Sequence, residues 1–168
     1  MAETRIALAL GSNLGDREAH LQRALVSLRA RGVEALARSA TYETEPVGGP
    51  PQDPYLNLVA LVRTARDPDA LLRAALEVEA EAGRVRTVRD APRTLDVDVL
   101  FHGETVSRAP SLTLPHPRLH ERRFVLVPLV DVAPDWRHPI LGYSARELLA
   151  RLADRSRVEL WTPAVPAR

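Results

Sequence analysis

From Thr94 to Phe101 the chain reads Thr-Leu-Asp-Val-Asp-Val-Leu-Phe, an apolar, β-branched run with two carboxylates set into it. A strand turns successive side chains to opposite faces. As a strand, this run puts Leu95, Val97, Val99 and Phe101 on one face, which reads as core, and Asp96, Asp98 and Leu100 on the other. Like charges on one strand face repel, so a fold that keeps them there has to bring that face an opposite charge. Directly upstream stand Arg84, Arg86, Arg89 and Arg93. With Cα atoms about 6.5–7 Å apart, the carboxylates suit one shared Mg²⁺, or a pair of ions about 3.5–4 Å apart. The guanidiniums suit phosphate oxygens, because each is a planar, permanently charged fork. Carboxylates for metal beside arginines for phosphate is the chemistry of nucleotide phosphoryl transfer. The same residues also suit a solvated salt-bridge surface, worth about 0–1 kcal/mol per pair.

The segments before this strand alternate in period. Arg5 to Leu10 reads as a short apolar strand ended by Gly11-Ser12-Asn13, which reads as a tight turn or as a loop packed under a substrate. Asp16 is placed to cap a helix with Leu21, Leu25 and Leu28 as its inner stripe, and Gly32 ends it. Val33 to Glu43 reads as a second strand and Tyr55 to Thr64 as a third. Between them, Thr44 to Pro54 is a Pro- and Gly-rich loop, long enough to act as a lid or binding element. Asp67-Pro68-Asp69 opens a second helix that buries Leu71, Leu72, Ala75 and Val78 and stops at Gly83.

The order is strand, helix, strand, strand, helix, strand. This predicts an α+β fold with a ferredoxin-like β-α-β-β-α-β core, an antiparallel sheet with helices on one face, and a C-terminal helical and strand extension. The extension holds a buried helical turn or two at 125–133, a helix from Ser144 through Ala153 and a last strand from Arg157 to Trp161. The other sheet face is predicted to be open and to carry Tyr55, Asn57, Asp96 and Asp98. An aromatic plane plus an amide that donates and accepts can hold a flat heterocycle, although on pattern alone Tyr55 reads first as a half-exposed residue at a strand start.

At 168 residues the chain predicts one domain, 1–168. With no cysteine it forms no disulfide or thiolate metal site, and with no long apolar run it predicts a cytoplasmic protein with no membrane partner. The net charge is +1 and the arginines are clustered, which fits a small anionic ligand better than nucleic acid. His116 and His120 are four apart, but Pro117 breaks the helix that a metal pair would need.

Several landmarks occur together in order: Gly11-Ser12-Asn13, Tyr55-Leu56-Asn57, Gly83-Arg84-Val85-Arg86, Pro92-Arg93-Thr94-Leu95-Asp96-Val97-Asp98, and Leu114-Pro115-His116 followed by Arg122 and Phe124. On these the chain resembles the 6-hydroxymethyl-7,8-dihydropterin pyrophosphokinases of folate biosynthesis over nearly its whole length. The resemblance implies transfer of the β,γ-pyrophosphoryl group of ATP to the pterin hydroxymethyl oxygen, with release of AMP. It implies Asp96 and Asp98 as ligands of two Mg²⁺ ions, and Arg84, Arg93, Asp96 and Asp98 as the catalytic set. Arg84, Arg86, Arg93, Thr113, His116 and Arg122 would bind ATP. Tyr55 and Phe124 would sandwich the pterin, with Asn57, Thr44, Pro46 and Val47 reading its edge. Glu79 aligns with an ATP-side residue, whereas its own surroundings in sequence read as a solvated helical carboxylate. The family also implies a monomer, and a start Met with a compact end argues against excision from a longer fused polypeptide.

Two departures stand out. Many relatives carry Gly before the Pro-Arg of the central motif, often behind an aromatic; here Asp90-Ala91 occupy that place, so no aromatic lid is expected. Pro117 follows His116 where some relatives carry an aromatic. The loops at Gly48-Gly49 and Thr87 to Ala91 are expected to order on ligand binding. The alternatives are another Mg²⁺-dependent nucleotide phosphotransferase or hydrolase, recognised by release of ADP or phosphate, and a ferredoxin-like RNA-binding module. With 4% aromatics the chain has little for bases to stack on, and carboxylates on the open face would repel RNA phosphates.

Overall fold

The structure, a computed structural model, describes residues 4–84 and 90–161. Strand β1 (Ile6–Ser12) leads into helix α1 (Arg17–Ala30), then β2 (Glu34–Arg38), β3 (Tyr42–Thr44) and β4 (Tyr55–Arg63). Helix α2 (Pro68–Glu81) precedes β5 (Asp96–His102), and β6 (Ser107–Ala109) and β7 (Leu112–Leu114) form a separate hairpin. Helices α3 (Arg123–Val132) and α4 (Ala145–Arg151) and strand β8 (Val158–Leu160) complete it. The main sheet runs β5-β1-β4-β3-β8, with β2 also paired to β4, and every pairing is antiparallel. This is the predicted ferredoxin-like arrangement.

Local chemistry sets the helix ends. Asp16 accepts the N–H of Ala19, Asp67 that of Ala70 and Ser144 that of Glu147, each satisfying a donor that the first helical turn leaves unpaired. The predicted strand 33–43 is two strands. Ser39 breaks it: its N–H reaches the Val59 carbonyl and its hydroxyl accepts the Val59 N–H, so the chain bends between β2 and β3.

Two apolar clusters hold the sheet from its two faces. On one, Leu8, Leu10, Leu56 and Leu58 meet Leu21 and Leu28 of α1 and Leu71 and Val78 of α2. On the other, Ala7, Val59, Leu100 and Phe101 meet Val125, Leu126 and Leu129 of α3. Each fully buried leucine contributes roughly 1.5–3 kcal/mol. The core helices lie on one face as expected, but α3 covers part of the other, so that face is open only at one end. The segment 123–132 is a full helix rather than a turn or two, and α4 ends at Arg151, before Ala153.

The placement of Phe101 is a correction. Leu8 pairs with Val99 but Ala7 pairs with Phe101, so Leu100 is an extra residue in β5. A bulge of this kind breaks the alternation of faces. Leu100 and Phe101 therefore both join the second cluster, where Phe101 stacks on Trp136 with ring centroids 4.2 Å apart. Asp96 and Asp98 precede the bulge and keep the predicted face.

Candidate active site

At the uncovered end of the second face lies a cleft of about 300 Å³. Its floor is three adjacent strands. Gly11 of β1 pairs with Asn57 of β4 on one side and Asp96 of β5 on the other. A Cβ on Gly11 would lie 2.5 Å from Asn57 Oδ1, so only glycine lets the amide cross the floor. Asn57 Nδ2 donates to the hydroxyl of Thr44 at 2.8 Å, and Thr44 is buried.

The cleft gathers Thr44, Pro46, Val47, Tyr55, Asn57, Arg84, Arg93, Asp96, Asp98, His116, Arg122 and Phe124, which come from six separate stretches of chain. Thr113 stands in β7 outside the lining, its hydroxyl donating to the Ala109 carbonyl at 3.3 Å. Arg86 lies outside the described residues, as do residues 87–89 of the loop expected to order on binding.

Charge is arranged in alternating signs. Arg84 Nη1 lies 2.8 Å from Glu79 Oε2 and 2.8 Å from Asp96 Oδ1, and Arg93 Nη1 lies 3.5 Å from Asp96 Oδ2. Burial works against the Arg84 cation, but Asp96 and Glu79 outweigh it and hold its pKa above the ordinary value. Burial, then the charge of Asp96, pushes the Asp98 carboxyl up to about 8. Burial, then the positive charge of Arg122, pushes His116 down to about 4. His116 is thus a neutral imidazole at neutral pH. Its Nδ1 accepts the Arg118 N–H at 3.2 Å, which leaves the proton on Nε2. The guanidinium of Arg122 lies 5.5 Å from the Phe124 ring centre, and that of Arg93 lies 5.9 Å from the Tyr55 ring centre.

Glu79 corrects the solvated reading. It is 3% exposed, and its Oε1 accepts the backbone N–H of Val97 at 3.0 Å. Its position on α2 beside Val78 and Ala75 puts it on the inner side; the signal available in sequence was a carboxylate breaking an apolar helical stripe. Asn13 has a larger part than a turn. Its Nδ2 donates to Gln52 Oε1 at 2.8 Å and to the Asp53 carbonyl at 3.0 Å, while its Oδ1 accepts the Arg93 N–H at 2.9 Å. Gln52, which sequence reasoning passed over, donates to the Asp90 carbonyl at 2.8 Å. One buried amide thus joins β1 to the two loops that frame the cleft. Nothing periodic in the sequence marks Gln52.

The donor set fits a magnesium ion. Asp96 and Asp98 offer hard oxygen donors, crowded so that one carboxyl resists ionisation, which an adjacent cation would relieve. Among the described residues no cluster of three or more His, Cys, Asp or Glu is arranged to hold a metal. Magnesium typically takes one or two carboxylates and completes its shell with water and substrate phosphate. The same set would not satisfy a structural zinc ion.

The profile of the family described as 7,8-dihydro-6-hydroxymethylpterin-pyrophosphokinase (HPPK) matches residues 7–134. A 2-amino-4-hydroxy-6-hydroxymethyldihydropteridine pyrophosphokinase of Methylorubrum extorquens is 46% identical over 158 residues, 93% of this chain and 98% of that protein. A protein of the same name from Bacillus subtilis is 40% identical over 126 residues, 74% of this chain and 75% of that one. The folic acid synthesis protein fol1 of Pneumocystis carinii is 36% identical over 149 residues, 89% of this chain but 20% of that protein. The chain therefore spans about a fifth of that fungal relative's length. A crystal structure of a Plasmodium falciparum HPPK-DHPS mutant with pteroate superposes with a TM-score of 0.70 at 15% identity, covering 89% of this chain and 43% of that one. That likeness speaks for the fold alone. The family match and the relatives at high coverage agree with the site's geometry: the chain belongs to the 7,8-dihydro-6-hydroxymethylpterin-pyrophosphokinase family.

Proposed function

We propose that this chain, as one domain, transfers the β,γ-pyrophosphoryl group of ATP to the hydroxymethyl oxygen of 6-hydroxymethyl-7,8-dihydropterin in folate biosynthesis, dependent on Mg²⁺. The observation that supports it most is the convergence of paired carboxylates, four guanidiniums (Arg84, Arg93, Arg118 and Arg122) and two aromatic rings on one cleft. Bound Mg²⁺ would neutralise and orient the phosphate oxygens, held by Asp96 and Asp98.

Tyr55 and Phe124 hold the pterin between them, and Asn57 with Thr44 and the adjacent backbone through Val47 reads its edge. Arg84, Arg93 and Arg122 stabilise charge on the transferred group, and His116 donates from Nε2 to a phosphate oxygen. The hydroxymethyl oxygen bonds to the β-phosphorus. The bond from that phosphorus to the α-phosphate's bridging oxygen breaks, AMP leaves with that oxygen, and the hydroxyl proton passes to solvent. No strong base is needed, because alignment and charge stabilisation supply most of the acceleration. Among the described residues no helix is long and apolar enough to cross a membrane. As a separate part of the proposal, the protein is a monomer and works in the cytoplasm.

The test is product identity. ATP and Mg²⁺ with 6-hydroxymethyl-7,8-dihydropterin should give AMP only when the pterin is present, and Asp96→Ala should lose nearly all turnover with its fold intact. ADP, or AMP independent of pterin, would replace this reading with another phosphotransferase or hydrolase.

A further inference from the structure

Asp96 has both carboxylate oxygens engaged by arginine: Oδ1 by Arg84 at 2.8 Å and Oδ2 by Arg93 at 3.5 Å. The atoms that would receive a cation and the atoms that would receive phosphate are therefore each other's partners in the ligand-free protein. We infer that Arg84 and Arg93 are built-in counter-ions of Asp96, so that cation and nucleotide phosphate exchange into these ion pairs together and each alone binds weakly. This rests on the pyrophosphokinase reading and adds a rule of mutual dependence to it.

The partners left behind decide the coupling. A cation arriving alone displaces two guanidiniums from Asp96. Arg84 falls back on buried Glu79, and Arg93 on the Ala91 carbonyl at 3.2 Å and the face of the Tyr55 ring. A phosphate arriving alone draws the guanidiniums off and leaves the Asp96 carboxylate without either counter-ion in a partly desolvated site. When both arrive, each carboxylate oxygen trades an arginine for the cation and each arginine trades a carboxylate for phosphate. Every charge in a partly desolvated site then keeps an opposite neighbour. Such coupling is reciprocal by linkage: what the nucleotide does for the cation, the cation does for the nucleotide.

Two binding measurements on the intact chain test this without turnover. The first is Mn²⁺ binding without nucleotide, by electron paramagnetic resonance. Arg84→Met should tighten it about tenfold, the scale of one charge-assisted contact, and Arg93→Met by less. Arg118→Met is the matched control. It removes the same charge from the same cleft, but Arg118 pairs with Glu121 at 3.5 Å rather than with Asp96. The second is ATP binding in EDTA. Asp96→Asn should tighten it about tenfold, whereas Glu45→Gln, on the same lining, should not. Unchanged affinities, or equal gains in the controls, overturn the inference. If Arg84→Met unfolds, Arg93→Met and Asp96→Asn decide it. Wild-type protein that binds Mn²⁺ and ATP tightly together, with variants that leave each single affinity unchanged, sinks the coupling alone. Failure of every variant and of wild type to bind the pair sinks the pyrophosphokinase reading as well.

Discussion

Glu79 Oε1 accepts the backbone N–H of Val97 at 3.0 Å, so a carboxylate from helix α2 is tied to the strand between Asp96 and Asp98. Its other oxygen holds Arg84 at 2.8 Å. The arginine nearest the metal-type carboxylates is therefore aimed by a residue that lies beneath the cleft.

Removing Glu79 strips buried Arg84 of one of its two carboxylate partners, Asp96 being the other, and leaves the Val97 N–H unpaired. Glu79→Ala should cost about 3 kcal/mol of stability. Glu79→Gln keeps an oxygen for the Val97 N–H and should cost about 1 kcal/mol. Urea unfolding at neutral pH separates the two, and equal costs would contradict the role given to that hydrogen bond.

His116 and Asp98 should shape the pH profile in opposite senses. The folded His116 pKa of about 4 lies below the ordinary 6.5, so its contribution is present above 6.5 and is lost as pH falls toward 4. The folded Asp98 pKa of about 8 lies above the ordinary 3.8, so stability is lost as pH rises between those values. Each slope is at most about 1.4 kcal/mol per pH unit. They oppose each other from about 4 to 6.5, and only the Asp98 slope remains from 6.5 to about 8. Ligand-free melting temperatures should therefore decline over that upper window. Asp98→Asn should flatten the decline, and His116→Gln should raise stability relative to wild type as pH falls from 6.5 toward 4. A decline that survives Asp98→Asn would assign it to another group.

Gly48 and Gly49 look alike in sequence and should respond differently. Both have φ above 70°, but a Cβ on Gly49 would lie 2.6 Å from the Asp90 carbonyl oxygen, whereas on Gly48 the nearest atom is at 3.8 Å. Gly48→Ala should cost about 1 kcal/mol of backbone strain with turnover little changed. Gly49→Ala pushes on the segment leading to Arg93 and should lower turnover by up to about a hundredfold, the scale of a small misplacement of a catalytic group. Steady-state kinetics on the pair checks this; equal turnover in both would show that the contact with Asp90 does not position Arg93.

Asn13→Ala removes three side-chain hydrogen bonds from a residue that is 2% exposed, leaving Gln52 and the Arg93 N–H without their partner. A loss of about 1–3 kcal/mol follows. Asn13→Asp keeps the acceptor for Arg93 but turns a carboxylate toward Gln52 Oε1 and the Asp53 carbonyl, and should be no better. Thermal unfolding of the two variants tests it, and an Asp variant as stable as wild type would show that the amide donor is dispensable.

Much of this was legible because periodicity is local. The alternation in 94–99, the leucine stripe of α1 and the Asp67-Pro68 start of α2 each follow from backbone geometry within a few residues. So does the shared face of Asp96 and Asp98, which lies before the bulge. Phe101 was misread because one extra residue reverses every later face, and the register that creates the bulge is set across the sheet by β1. Glu79 was misread because a helical carboxylate reads as solvent-facing until its partners, Arg84 and the Val97 N–H, are seen to arrive from another part of the chain.

The sequence by itself determined the order of elements, the pair of carboxylates on one strand face and the arginines upstream of them, since each depends on neighbours along the chain. Only the tertiary structure decided which of those charges meet. It set Arg84 and Arg93 on the two oxygens of Asp96, Asn13 between two loops, and α3 over part of the face that carries the site. Those are contacts between distant segments, fixed by sheet register and by the burial of two apolar clusters on opposite faces.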